Sequence, residues 1–482
     1  MQYQSTRDAG LRVTAAEAIV RGLAPQSGLF VPESFPQADL EAWRQLSYPE
    51  LAEKVLAGYL TDYSADFLRK AAQATYGEAF GGKAGCTVKV CDGLYALELW
   101  HGPTCAFKDY ALQLMPKLLV EAKRILHRGE TTRILVATSG DTGKAALAGY
   151  AGLDGIDIAV FYPNAGTSEI QRLQMATQTG DNVRVYAVEG NFDDAQTGVK
   201  RVFSDETVAA ELEARGIRLS SANSINWGRL APQIVYYFYA YFRLVDEGAV
   251  AWGEPVDFCV PTGNFGDILA GYYAKRMGLP VGKLVCASNR NNVLTDFIRT
   301  GTYDARREFY KTASPSMDIL ISSNLERLLW HVSGSSEKVA DWMRQLAQTG
   351  RYTVDAETLA AIQASFDAGF ADDAQGAEEI RARFAQDGYL CDTHTAVAFC
   401  VAARCRTAAP MVVLSTASPF KFPRDVLTAL GQTAPAGDFA AMAALEAAAG
   451  VQAPQSLRAL AELPVRFTRV IEPGEIRAAA LQ

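Results

Sequence analysis

Arg133-Ile134-Leu135-Val136-Ala137-Thr138-Ser139-Gly140-Asp141-Thr142-Gly143 is the stretch whose reading decides the fold. Ile134 to Ala137 form an unbroken apolar run, which at this length reads as a buried strand. A polar turn with two glycines follows, and Lys144 to Gly149 continue as a helix. Downstream the alternation repeats: strand Asp157 to Tyr162, helix Ser168 to Thr177, strand Val183 to Val188, helix Asp193 to Phe203. Units of this length predict a mostly parallel sheet with helices on its faces. Ligands of such sheets bind beyond the carboxyl ends of the strands. A second unit of the same kind runs from Val256-Asp257-Phe258-Cys259-Val260 into Pro261-Thr262-Gly263-Asn264-Phe265-Gly266-Asp267. Each loop feeds a helix and so offers backbone N–H groups and a positive dipole end to an anion. Neither is a nucleotide-binding P-loop, because Ala145 follows Lys144 and the glycines are too close together. Glycine used for turn geometry alone explains either loop equally well.

Upstream lies His101-Gly102-Pro103-Thr104-Cys105-Ala106-Phe107-Lys108-Asp109-Tyr110. Gly-Pro marks a turn, and the spacing of Ala111, Leu112, Leu114, Met115, Leu118, Leu119 and Ile125 predicts one helix that starts near Lys108. Apolar neighbours and a helix start both disfavour an ammonium, and carbonyl chemistry runs through the neutral amine. A surface lysine that snorkels from a first helical turn is the plainer alternative. Asn223-Ser224-Ile225-Asn226-Trp227-Gly228-Arg229 likewise has two readings, a polar binding cluster or a cap for the aromatic helix that follows.

Composition narrows the function classes. The chain has 482 residues, 49% hydrophobic and 21% charged, which suits a globular protein of two or three domains. A net charge of -8 without a dense Lys/Arg block argues against a nucleic-acid partner. The polar start and the short run Ile234 to Phe242 give no signal core and no membrane span, so a cytoplasmic protein is expected. Eight scattered cysteines without a Cys-x-x-Cys read as reduced core thiols, and the four histidines show no zinc spacing.

Residues 1–85 read as a helical domain, with helices behind Thr14, over Tyr48 to Tyr59 and over Asp66 to Tyr76, and a turn-rich stretch at Pro25 to Pro32. Gly81-Gly82-Lys83-Ala84-Gly85 ends it or forms an internal loop. Residues 86–130 and 251–482 are assigned to one large α/β domain and 131–250 to a smaller one, with the last stretch as terminal helices. Further signals at strand ends are Cys286 to Asn292, Cys391 to Ala396, and Ser415-Thr416-Ala417-Ser418-Pro419-Phe420-Lys421.

The identity and order of these segments resemble the threonine synthase family of the longer microbial and fungal type. The matching segments are His101-Gly102-Pro103-Thr104 through Phe107-Lys108-Asp109, Ser139 to Gly143, Asn223 to Arg229, Pro261 to Asp267, and Tyr-x-Ser-Thr-Arg at Tyr3 to Arg7. Thr393 before His394, and Ser418 before Pro419, depart from the family's usual proline and histidine. The resemblance implies a tryptophan synthase β-like, fold type II α/β enzyme with pyridoxal 5'-phosphate bound in the cleft between two α/β domains. It implies Lys108 as the Schiff-base lysine, Gly263, Asn264, Phe265, Gly266 and Asp267 as the cradle of the cofactor phosphate, and Thr416 as partner of the ring nitrogen. Ser139, Gly140, Asp141 and Thr142 are then expected at the substrate α-carboxylate, and Asn223, Ser224, Asn226 and Arg229 at the substrate phosphate.

By the same resemblance the reaction is O-phospho-L-homoserine plus water to L-threonine plus phosphate, through γ-elimination and addition of water at the β-carbon, with Lys108 as base. Two rival readings share the lysine and the phosphate loop: a phospholyase releasing 2-oxobutyrate, and a dehydratase acting on threonine or serine. A non-catalytic binder of the cofactor or of a phosphate metabolite is a third. A monomer or small homo-oligomer is expected, with no macromolecular partner.

Overall fold

The computed structural model describes residues 1–482 apart from Gln26, Ser27, Ala165 and Gly166. Two open sheets form the frame. The larger has the strand order Phe366–Phe370, Val281–Ser288, Val256–Pro261, Met411–Ser415, Leu94–Glu98, Cys86–Cys91. All neighbours in it are parallel except the last pair, which is antiparallel. The smaller runs Val470–Ile471, Val183–Val188, Ile156–Pro163, Thr131–Ala137, Ile217–Ser220, and every pair is parallel. Strands covered by helices on both faces carry apolar side chains in succession, and Ile134, Leu135 and Val136 are each fully buried.

The strand register matters more to function than the layer count. Phe258 lies beside Val412, and Val413 beside Ala96, so three neighbouring strands of the large sheet end together. Their next residues are the loop at Gly263, Thr416, and the segment that leads to Lys108. Topology alone therefore gathers three sequence signals at one rim.

Several expectations change. The N-terminal part contains the expected helices Ala15–Arg21, Tyr48–Tyr59 and Ala65–Tyr76, but also a three-stranded antiparallel sheet of Arg12–Val13, Tyr3–Ser5 and Phe30–Pro32. Strands of two or three residues are too short to show a period in the sequence. Gln26 and Ser27 of the expected turn at Pro25 to Pro32 lie outside the described residues. This N-terminal part also shares its core with the rest: Tyr3, Leu51, Tyr59 and Tyr76 pack in one cluster with Trp227, Tyr236 and Tyr273. The end of the chain is a further correction. Val470–Ile471 and the helix Ile476–Leu481 attach to the small sheet, where Ile471 and Ile476 join the cluster of Leu135 and Phe161. Residues 251–482 thus do not all belong to the larger layer. Among the described residues no helix is long and apolar enough to cross a membrane.

Candidate active site

Lys108 is positioned by a locked turn. Asp109 is fully buried and accepts from the Thr104 N–H and hydroxyl, both at 2.8 Å, and from Gln113 Nε2 at 3.0 Å. Gly102 is required beside it, because a Cβ there would sit 2.6 Å from Asp109 Oδ2. The Phe107 N–H donates to Thr416 O at 2.8 Å, and Ala106 bridges to Ala417, which ties the turn to the neighbouring strand end. The single helix expected after Lys108 is in fact two, Asp109–Leu112 and Met115–Ile125, since Pro116 lacks an N–H and opens the second. A four-residue helix has little dipole, so the dipole argument for Lys108 falls away and burial takes its place. The residue keeps an edge open to the cleft while protein rings its amine. Burial pulls its pKa below the ordinary value, Arg229 and Lys421 push the same way, and Asp141 and Asp267 oppose them. Among the described residues its Nζ has no hydrogen-bond partner and rests 4.8 Å from the Phe107 ring centroid.

The Gly263–Asp267 loop presents amides. Its carbonyls are turned to a neighbouring segment: Ser322 Oγ donates to Gly263 O at 2.9 Å, and the Asn324 N–H and Nδ2 donate to Asn264 O at 3.0 and 3.1 Å. The N–H groups of Gly263, Asn264, Phe265 and Gly266 find no acceptor among the described residues, and they precede the first turn of the helix Gly266–Arg276. Phe265 adopts φ +63°, with its buried ring 5.6 Å from that of Phe366. A Cβ on Gly263 would lie 2.7 Å from Ser316 O. Such a row of free amides at a helix start fits a phosphate. Asp267 is buried in the first turn, its carboxyl pushed up to about 6 by burial, and it accepts from the Ile268 N–H at 2.9 Å. Thr416, also buried, receives no hydrogen bond on its hydroxyl from the described residues, while its N–H donates to Thr395 Oγ1 at 3.3 Å. A buried amine, a free hydroxyl and a phosphate cradle on adjacent strand ends fit pyridoxal phosphate: Lys108 for its aldehyde, Gly263–Gly266 for its phosphate, Thr416 for its ring.

The second loop is built differently. Thr138 Oγ1 accepts from the Gly140 and Gly143 N–H groups at 2.9 and 3.0 Å, which leaves those of Ser139, Asp141 and Thr142 without an acceptor among the described residues. Asp141 is not free to act alone. Its Oδ1 takes Lys421 Nζ at 2.6 Å and Gln171 Nε2 at 2.9 Å, and Lys421 is fully buried. The sequence marked Lys421 only as the end of a strand-loop stretch; its partner is too distant in the chain for any local pattern to join them. A cavity of about 670 Å³ borders the pair through Gln171 and extends to Lys311 and Arg424.

The Asn223–Arg229 cluster divides. Asn226 is spent on structure: its side chain caps the helix Trp227–Leu230 through the Gly228 N–H at 2.9 Å and donates to Ile19 O at 2.9 Å. Ser224 Oγ lies 3.4 Å from Ser323 Oγ, which donates to Asn264 Oδ1 at 3.3 Å, so this cluster adjoins the cradle. The Asn223 side chain has no hydrogen bond to the described residues. Arg229 is 4% exposed, donates to Ala222 O, has no carboxylate at ion-pair distance among the described residues, and is pushed down to about 10 by burial. A buried cation without a counter-ion suits an anionic ligand.

Of the two departures from the family pattern, Ser418 is a brace, whereas the buried Thr393 hydroxyl has no hydrogen-bond partner among the described residues. Ser418 donates its N–H to Cys105 O at 3.1 Å, and its Oγ accepts from the Phe420 N–H at 3.4 Å. Thr393 opens the helix Thr393–Cys405 behind Asp392, and Asp392 holds His394 Nδ1 at 2.9 Å while His394 Nε2 accepts from the Ser316 N–H at 3.1 Å. Cys86, Glu98 and His101 bring ligand atoms within 4.8 Å of one another, a grouping that follows from the Cys86–Glu98 strand register. The His101 Nε2–Glu98 Oε2 hydrogen bond of 2.7 Å accounts for two of the three.

Comparison with known proteins agrees with this geometry. Residues 87–382 match the family described as pyridoxal-phosphate dependent enzyme, residues 2–76 the threonine synthase N terminus, and residues 395–479 the threonine synthase C-terminal family. A threonine synthase of Pseudomonas aeruginosa is 43% identical over 440 residues, covering 88% of this chain and 90% of its own. A threonine synthase of Schizosaccharomyces pombe is 37% identical, covering 89% of each. The crystal structure of a pyridoxal-phosphate-bound threonine synthase from Brucella melitensis superposes with a TM-score of 0.89 at 38% identity, covering 100% of this chain and 99% of that one. On these matches over nearly its whole length, this chain belongs to the threonine synthase family of pyridoxal-phosphate-dependent lyases.

Proposed function

We propose that the chain converts O-phospho-L-homoserine and water to L-threonine and phosphate, with Lys108 as both covalent anchor of the cofactor and proton carrier. One observation carries the residue assignment: the Lys108 amine has no hydrogen bond to the described residues and stands within electrostatic reach of Asp141 in one loop, Asp267 in the other, and Arg229. Bound pyridoxal phosphate supplies the electron sink that makes the α- and β-protons removable. The chain's own groups do the rest. Free amides at Ser139, Asp141 and Thr142 orient the substrate carboxylate, and Arg229 with Asn223 and Ser224 receives the phosphate that leaves. Asn226 serves this cluster by shaping it, since both ends of its amide are engaged. Lys108, its charge disfavoured by burial and by Arg229 and Lys421, takes up and returns protons at the substrate carbons. Thr416 would offer the ring nitrogen a neutral hydroxyl instead of a carboxylate, which would leave that nitrogen largely unprotonated and limit the sink.

Eight cysteines, all free, support a reducing compartment such as the cytoplasm. The test is to incubate the purified protein with O-phospho-L-homoserine in heavy water and to identify the product by NMR. Deuterated threonine is expected; 2-oxobutyrate would move the reaction to a phospholyase. Lys108→Ala should abolish turnover and the covalent cofactor chromophore together, and normal threonine formation by that variant would refute the assignment.

A further inference from the structure

The Ser139–Thr142 loop contains a contradiction. Its free amides suit an anion, yet Asp141 places a carboxylate in the same helix turn, where an ionised side chain repels one. We propose that Lys421 is a positioning residue that cancels the Asp141 charge and so turns this loop into a seat for the substrate α-carboxylate. The inference rests on the proposed role of the loop.

Geometry supports it in three ways. Lys421 is fully buried and Asp141 is 3% exposed, so neither charge is shared with water, and their 2.6 Å contact forms a neutral unit. The contact joins two frames. Asp141 follows a strand of the small sheet, while Lys421 follows the Met411–Ser415 strand of the large sheet and also donates to Thr104 O at 3.1 Å, four residues before Lys108. Gln171 holds the same carboxylate oxygen at 2.9 Å, and Gln174 reaches Thr104 O at 3.2 Å, so one small-domain helix braces both ends of the pair. Finally, Lys108 cannot supply the missing charge, because its chemistry requires the neutral amine. Two lysines therefore divide the work: Lys108 acts through its neutral amine, and Lys421 stays paired with the Asp141 carboxylate.

The test uses the holoenzyme and four variants, Lys421→Met, Lys421→Arg, Asp141→Asn and the Lys421→Met/Asp141→Asn double. Steady-state KM and kcat for O-phospho-L-homoserine are measured, together with the Kd of L-threonine by calorimetry. Lys421→Met should raise KM at least tenfold and the threonine Kd at least fivefold, with a smaller change in kcat. The double variant, which removes both charges, should recover at least half of that loss on a logarithmic scale. A double variant no better than Lys421→Met would overturn the proposal, as would an unchanged KM in Lys421→Met. Should Lys421→Met fail to fold, Lys421→Arg and Asp141→Asn decide. A tenfold KM rise in Asp141→Asn with normal kcat would show that the carboxylate itself binds substrate and would overturn it; a KM close to that of Lys421→Arg is the expected result. Wild-type holoenzyme that forms no threonine would refute the proposed reaction instead, whereas the calorimetric comparison would still judge the seat.

Discussion

The Gly263–Asp267 and Ser139–Thr142 loops share one plan, a parallel strand that ends in a glycine turn at a helix start, and they solve the anion problem in opposite ways. In the first, four successive amides have no acceptor among the described residues, while Ser322 and Asn324 occupy the carbonyls of Gly263 and Asn264. Its one carboxyl, Asp267, has no cationic hydrogen-bond partner among the described residues, and burial raises it to about 6. In the second, Thr138 uses up two amides, and burial opposes ionisation of the carboxyl, but Lys421, Lys108 and Gln171 together hold it well below the usual carboxylate range. A permanent guest suits a seat made of fixed backbone. A guest that arrives and leaves suits a seat bound across the cleft by side chains.

If that distinction is right, equivalent substitutions in the two loops must fail differently. The largest effect is expected from Gly263→Ala, whose Cβ would meet backbone at Ser316 O. Overpacking against backbone costs ~3 kcal/mol, or roughly 100-fold in cofactor affinity. Retention of the visible chromophore on dialysis measures it, and a variant that keeps its cofactor breaks the comparison. Next in size is a pH effect at Asp267. Its folded pKa lies above the ordinary 3.8, so between about pH 4 and 6 the unfolded chain is ionised while the folded one holds the proton. Stability from this group is complete below that window and is lost as pH rises through about 6. Asp267→Asn, which keeps the acceptor for the Ile268 N–H, should therefore be more stable than the parent above pH 6 by on the order of 2 kcal/mol and lose that lead near pH 4. Denaturant unfolding without added cofactor at both pH values checks the sign, and a lead that grows on acidification would be wrong. The smallest effect is expected from Gly140→Ala. Gly140 has φ +148°, and its Cβ would meet the side-chain end of Gln171 at 2.6 Å, whose displacement loosens its hydrogen bond to Asp141 but meets no backbone. Here KM for substrate should rise roughly tenfold from backbone strain while the cofactor stays bound.

Local chemistry was legible in the sequence and long-range pairing was not. Lys108 and both glycine loops stand out because strand, turn and helix follow one another within a dozen residues. The helix break at Pro116 was also legible, since proline opens helices, but the apolar stripe running on to Ile125 hid it. Asn226 carried two readings; its side chain accepts from the Gly228 N–H as the cap of the short helix Trp227–Leu230, not of the aromatic helix Ile234–Asp246, and donates to Ile19 O. Lys421 stands at the end of a strand-end signal, but its pairing could not be read. Its partners, Asp141 and Thr104, belong to distant segments, 317 positions away in the case of Thr104, and only the closing of the sheets brings them together. The strand Val470–Ile471 escaped for a related reason, because two residues carry no period and their pairing edge is built far earlier in the chain.

That last pairing has a consequence for synthesis. The strand Val183–Val188 is made long before Val470, so on the ribosome the small sheet waits with one edge unpaired, an exposed row of N–H and C=O groups. Nascent chains stalled before residue 470 should therefore be the aggregation-prone ones, and Val470–Ile471 act as a self-supplied edge cover.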